Sequence, residues 1–292
     1  MEYSSITTYK GSIPSTENLP IHYDLHLPKD SSNGPLPVVL FLHGFKGFKD
    51  WGPFPWACKH IASKGFGVVA FNLSRNGVSG HGMDFDELDL FSEQTLSQDL
   101  DDVGTVIKAL TDGQIAPEAE TNLRNNDQIG IIGHSRGGHT AIAAAAEQSA
   151  ITCLITWSAV ANYNKRWSSE MIADWKSEGV TEIKNGRTGQ IMPVKKKVYE
   201  DAQKNADRLM ADRRITGVEA PTLILHGQDD KAVAVDDANR LFEQSGAEHK
   251  NCIIIPVTGH TFGGAHPFDE DQFPPPFKTM LGFTTQWLKA YM

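Results

Sequence analysis

The chain has 292 residues, 40% of them hydrophobic, and carries 27 Lys and Arg against 36 Asp and Glu for a net charge of −9. That length can bury one large core, while the acidic balance excludes the clustered positive surface that a nucleic-acid backbone demands. No run of about 18 apolar residues occurs, the N-terminus lacks a basic start followed by an apolar core, and Cys58, Cys153 and Cys252 are too few for a disulfide scaffold, so a cytoplasmic protein without membrane contact is expected.

Ile21-His-Tyr-Asp-Leu-His-Leu27 alternates with a period of two, which predicts an edge strand in an antiparallel start. Leu36 to His43 is a nearly continuous apolar run ending at Gly44, the pattern of a strand buried on both faces. Ligands gather beyond the carboxyl ends of strands in open α/β sheets, so the loop from His43 to Trp51 is expected beside the site. Trp56 to Lys64 reads as a helix stopped by Gly65, and Gly67 to Asn72 as the next buried strand. A polar loop follows from Ser74 to about Ser92. Its acids Asp84, Asp86, Glu87 and Asp89 lack calcium-loop spacing and read as solvated, and no metal is expected. Thr95-Leu-Ser-Gln98 has capping-box spacing and should open a helix running to about Thr111, with Gly113 beyond its end.

Gln128 to Ile142 is the densest stretch. Ile129, Ile131 and Ile132 suit a buried strand and Ala141 to Ala146 a helix, so the chain must reverse within Gly133-His-Ser-Arg-Gly137. Ser135 sits at the tip, between glycines that let strand and helix approach closely. The N–H groups and dipole at the start of the helix would stabilise negative charge forming near its hydroxyl.

Ile151 to Trp157, Pro221 to His226 and Asn251 to Val257 read as further buried strands, and Pro276 to Ala290 as a closing helix. Strand and helix alternate, which predicts an α/β fold with a mostly parallel sheet and helices on both faces, in a single domain over residues 1–292. Residues 160–216 break the alternation. Ser168 to Lys176 and Lys195 to Arg213 look helical, the second with Val198, Ala202, Ala206, Leu209 and Met210 on one face. Asn185-Gly186 reads as a hairpin turn, and Lys195-Lys196-Lys197 as the solvated face of a helix. This insertion leaves from a strand's carboxyl end, so it should overhang Ser135 as a small cap. Trp51, Trp157 and Trp167 are candidate substrate-pocket residues; Trp157, Trp167 and Trp175 would equally serve as cap core.

A serine hydroxyl needs a base within hydrogen-bond reach, and that base needs an orienting acid. Asp229 and Asp230 lie just beyond one strand and His260 just beyond another, giving the chain order Ser, Asp, His. His260 is preferred to His266 as the base because it follows its strand directly. His43, His134 and His226 read as structural histidines.

Leu42-His-Gly-Phe45, Gly133-His-Ser-Arg-Gly-Gly138, Leu225-His-Gly-Gln-Asp-Asp-Lys-Ala-Val233 and Gly259-His-Thr-Phe-Gly263 resemble the motifs of the α/β-hydrolase superfamily. The likeness runs from about residue 20 to the C-terminus and is to its serine esterase branch, with dienelactone hydrolases, cinnamoyl esterases and the catalytic domains of acylaminoacyl and prolyl peptidases. It implies Ser135 as nucleophile, His260 as base and, through Gly227-x-x-Asp230-x-x-Val233, Asp230 rather than Asp229 as the acid. It also implies an oxyanion hole from the backbone N–H groups of Phe45 and Arg136. The implied activity is cofactor-free hydrolysis of a small-molecule carboxylic ester through an acyl-enzyme. The same triad would serve peptide or amide cleavage, whereas a hydrolase fold turned binding module should lose a triad member. Two departures stop any substrate from carrying over: the dienelactone hydrolases use cysteine where Ser135 stands, and the proline usual after Val233 is Ala234. The Arg136 guanidinium is left between pairing with an acid and contacting substrate.

Overall fold

Eight strands join in one sheet in the computed structural model, which describes residues 3–29, 36–115, 123, 128–269 and 271–292. In chain order the strands are β1 (Ile6–Pro14), β2 (Pro20–Pro28), β3 (Val38–Leu42), β4 (Gly67–Phe71), β5 (Ile129–His134), β6 (Ile151–Trp157), β7 (Val180–Lys184), β8 (Ile191–Lys195), β9 (Thr222–Gly227) and β10 (Lys250–Ile255). The sheet runs β1-β2-β4-β3-β5-β6-β9-β10, and β7 pairs with β8 apart from it. β2 is antiparallel to β1 and β4, and every later pairing in the large sheet is parallel.

Apolar residues occupy both faces of the central strands. Val38, Leu40 and Leu42 of β3 face one core, and Val39 and Phe41 face the other. The first core is closed by α3 (Leu96–Thr111), α4 (Arg136–Glu147) and α9 (Val235–Gln244). The second is closed by α1 (Phe54–Ala62) and α10 (Pro275–Tyr291). Thr95 caps α3 in a full capping box with Gln98, and Gly113 beyond its end has φ +68°.

The sheet edges differ from expectation. β2 lies second in the sheet, because β1, whose pattern is half-exposed and only weakly alternating, pairs along its whole length. β10 forms the opposite edge and is therefore mostly half-exposed rather than buried. In the polar loop a short α2 (Leu88–Ser92) forms, and Asp86 caps Ser79 from its side chain.

Between β6 and β9 come α5 (Ser169–Ser177), the β7–β8 hairpin, α6 (Lys196–Lys204), α7 (Ala206–Leu209) and α8 (Ala211–Arg214). The single helix expected over Lys195 to Arg213 is thus broken. Asn205 leaves helical geometry and bonds Asp201 and Ser97, while Met210 extends and buries its side chain completely. Tertiary anchors override the local propensity. The hairpin is closed over 185–190 rather than by a two-residue turn, with the Asn185 N–H donating to Gln190 O at 2.8 Å. The lysine run is not simply solvated: Lys195 and Lys197 both bind Glu93, at 2.7 and 2.9 Å, and their hydrogen bonds hold its carboxyl down at about 2. These pairs tie the insertion to the loop before α3.

Candidate active site

Four strand ends supply the site. β5 stops at His134 and α4 starts at Arg136, which leaves Ser135 alone to reverse the chain. Its φ of 57° and ψ of −117° form a conformation that L side chains rarely adopt. The turn leaves no room for side chains around it: a Cβ on Gly133 would lie 2.2 Å from Gly137 O, one on Gly137 2.4 Å from His43 O, and one on Gly44 2.9 Å from Ser135 Cβ. Backbone hydrogen bonds hold the strained residue: Ser135 N–H donates to Trp157 O at 2.9 Å, and Ser135 O accepts from the N–H groups of His139 at 3.1 Å and Val160 at 3.4 Å. Replacing Ser135 by glycine should release this strain and stabilise the fold by about 1 kcal/mol relative to Ser135→Ala. Equal melting temperatures for the two variants would contradict it.

Beyond β9, Asp230 is pulled under the sheet end, its side chain fully buried. One carboxylate oxygen accepts from the Ala232 and Val233 N–H groups at 2.8 and 2.9 Å. The other accepts from His260 Nδ1 at 2.8 Å and lies 3.3 Å from His226 Nε2, which also donates to Val233 O. Burial alone would raise this carboxyl, but the hydrogen bonds from His226 and His260 outweigh it and hold it well below the ordinary carboxylate range. Asp229 is exposed, and its N–H donates to Thr258 O at 2.8 Å. The geometry therefore joins Asp230, not Asp229, to His260.

Ser135 and His260 line one cleft of about 210 Å³ together with Gly44 and Phe45. Among the described residues no hydrogen bond joins the Ser135 hydroxyl to the imidazole; such bonds are often long in unliganded sites and tighten when substrate is held. The N–H groups of Phe45 and Arg136 make no hydrogen bond among the described residues, so both remain open to an incoming acceptor. His266 stands elsewhere. Its Nδ1 accepts from the Gly52 N–H at 2.8 Å, and its ring borders a neighbouring cavity with Asp24 and Asp50.

A model of the prolyl oligopeptidase family matches residues 53–290, well over half of the chain. The protein belongs to that family. No curated protein sequence matches it significantly. Among solved structures it is similar to Est1E from Butyrivibrio proteoclasticus with ferulic acid bound, at 17% identity over 96% of this chain and 98% of that one, with a TM-score of 0.70. A hydrolase from Agrobacterium vitis, described as putative, gives 16% identity, 97% and 98% coverage and 0.71. Dienelactone hydrolase from Anabaena variabilis gives 17%, 99% and 99%, and 0.64. At these identities the structures show the fold, which is that of the α/β-hydrolases.

In this prolyl oligopeptidase family member the Arg136 side chain is structural. Its buried guanidinium donates from Nε to Asp99 at 2.6 Å and from a terminal nitrogen to Gln94 O at 2.9 Å, and lies over the rings of Phe45 and Tyr163 at 5.3 Å each. It thereby fastens the residue after Ser135 to α3 and to the loop that carries Phe45. Removing one partner of so buried a pair costs about 3–5 kcal/mol.

Two of the expected pocket residues are not in the cleft. Trp157 is fully buried beneath the sheet against Phe41 and Phe277, with its indole N–H on Thr284. Its strand position points it into the second core. Trp167 packs edge-on against Tyr163 and Trp175 inside the insertion, where Trp175 donates to Val194 O. Trp51 does line the cleft, with Phe54. From the insertion it is Asn185 and Arg187 of the hairpin loop that reach the cleft, and Lys46 joins them from the core. Lys46 directly follows Phe45 in the chain, which was a usable signal. Nothing local marked Arg187.

The structural histidines couple the fold to pH. His43 donates from Nδ1 to Gly44 O and accepts from the Leu73 N–H, and His134 donates to His260 O while packing on its ring at 4.7 Å. Burial lowers His43 and His139 to about 4, and His134 and His26 to about 3. The unfolded chain binds these protons near 6.5, so the stability is complete above that pH and is lost as pH falls towards 4, at about 2 kcal/mol per imidazole by pH 5. Burial acts oppositely on Asp99 and on Asp102, which it raises to about 7. Four imidazoles against two carboxyls leave a net loss, and the melting temperature should fall between pH 7.5 and 5. An unchanged value would show that these imidazoles are not held neutral.

Among the described residues no helix is long and apolar enough to cross a membrane, and no group of His, Cys, Asp and Glu could hold a metal ion.

Proposed function

We propose that this protein is a serine hydrolase of small carboxylic esters. The observation that carries the reading is the 2.8 Å Asp230–His260 pair opening on the same cleft as a serine held at φ 57°. In this reading the Ser135 Oγ attacks the ester carbonyl carbon as its proton passes to His260. The oxyanion is received by the N–H groups of Phe45 and Arg136. His260 then gives the proton to the departing alcohol, leaving an acyl-Ser135, and water repeats the sequence to release the acid. Asp230 fixes the proton on Nδ1, so that the other ring nitrogen is free to act as base, and stabilises the imidazolium.

Family membership favours one alternative, cleavage of a peptide or amide by the same groups. Two features support esters instead. The cleft is small against the ~300–1,000 Å³ of sites for drug-sized ligands, and among the described residues no carboxylate lines it to receive a peptide's free ammonium. Labelling with a fluorophosphonate, followed by parallel assays on short acyl nitrophenyl esters and aminoacyl anilides, tests the proposal. Preference for the anilides would transfer the assignment to the peptidase reading. A folded protein that resists the label would leave only a binding role.

A further inference from the structure

Charge in the cleft is one-sided. Among the described residues Lys46 and Arg187 line it and no acidic residue does, although the chain as a whole carries −9. Neither cation has a carboxylate partner among the described residues. Lys46 Nζ donates to Lys184 O at 3.3 Å, and Arg187 reaches Met83 O at 3.5 Å. Other basic side chains of the insertion are divided: Lys195 and Lys197 pair with Glu93, and Arg208 with Asp101 and Glu147, while Arg166 and Arg214 donate to backbone carbonyls away from the cleft.

The two cations come from different segments, and each rises from a hydrogen-bonded turn, Lys46 half-buried and Arg187 exposed. Lys46 has φ 55° in the tight turn that Gly47 N–H closes onto Gly44 O. It is half-buried, and burial lowers its ammonium from the ordinary value. On the hairpin, the Asn185 side chain accepts from the Arg187 N–H at 3.0 Å and fixes the loop that presents the guanidinium. The contact from Lys46 to Lys184 O joins these two supports.

We infer that the substrate carries a carboxylate a few bonds from the scissile ester, received by Lys46 and Arg187, with its connecting carbons against Phe45, Trp51 and Phe54. A guanidinium matches a carboxylate in geometry as well as charge, and a cleft lined by one sign of charge concentrates ions of the other. This inference rests on the proposed ester hydrolysis at Ser135. The carboxylate can belong to the acyl part, as in a hemi-ester of a dicarboxylic acid, or to the alcohol part, as in an ester of a hydroxybenzoic acid.

Matched pairs of esters distinguish these. The 4-nitrophenyl hemiglutarate is compared with the pentanoate, and 4-carboxyphenyl pentanoate with its 4-carbamoylphenyl counterpart, the uncatalysed rates being subtracted. In at least one pair kcat/KM should favour the anion by about tenfold or more, and the ratio should shrink in high salt. It should collapse towards one in Lys46→Met/Arg187→Gln, and Arg187→Lys should retain part of it. The pair that shows the preference locates the charge on the acyl or the alcohol side. Equal or faster turnover of both neutral esters, with Ser135 still labelled by fluorophosphonate, overturns the charge inference alone. No turnover of any ester and no label would bring down the hydrolase reading and this inference with it.

Discussion

Ser135→Ala should fold normally and lose ester hydrolysis by a factor of about 10⁴ to 10⁶ in kcat, with fluorophosphonate labelling abolished. The loss is this large because Ser135 is the one hydroxyl lining the cleft at a strand-to-helix turn among the described residues; the other, Thr261, donates to Gly264 O at 2.7 Å. Some rate above the uncatalysed reaction should persist, since the Phe45 and Arg136 N–H groups would still polarise a bound carbonyl. Retention of more than about a tenth of the wild-type kcat, in a variant with an unaltered melting profile, would remove Ser135 as nucleophile.

Asp230→Asn should lower kcat by about 10³ to 10⁴ with a much smaller change in KM. An asparagine amide presents N–H groups where the carboxylate accepts. It can then hold His260 with the proton on the wrong nitrogen, and His226 loses its charged neighbour at 3.3 Å. Asp229→Asn is the control. Its side chain is exposed and meets neither histidine, so its kinetics should stay near wild type. Matching losses in both variants would mean that the acid acts through the turn's structure rather than through the imidazole.

The two predictions differ in how much of them the chain itself announced. Ser135 was legible because one peptide segment builds the whole device: isoleucines for the strand, alanines for the helix and two glycines where any side chain would collide. The acid required the resemblance of a motif, since Asp229 and Asp230 are adjacent and equally placed after β9. Their separation appears only when the Ala232 and Val233 N–H groups draw one carboxylate inward. The choice of His260 over His266 followed strand proximity, and the fold places His266 against Trp51 and Phe48, beside a different cavity.

Aromatic residues misled for a related reason. Trp157 and Trp167 sit in or beside the insertion in sequence, but tryptophan serves a core and a pocket wall alike. Which it does depends on the direction the side chain takes from the sheet. The guanidinium of Arg136 finds its partner in Asp99, 37 residues earlier on another helix, where no local pattern points to it.

Sequence by itself determined the elements whose cause is local: the buried central strands, the capped α3, the serine turn, and the chain order of Ser135, Asp230 and His260. Tertiary structure alone decided which acid the Arg136 guanidinium meets, where the long helix of the insertion breaks, and which side chains of the insertion reach the cleft. The physical reason is range. Periodicity, capping and steric exclusion act over a few bonds, whereas the pairing of Arg136 with Asp99, or of Arg187 with Lys46 at one cleft, is set by distances that exist only after the sheet has brought remote segments together.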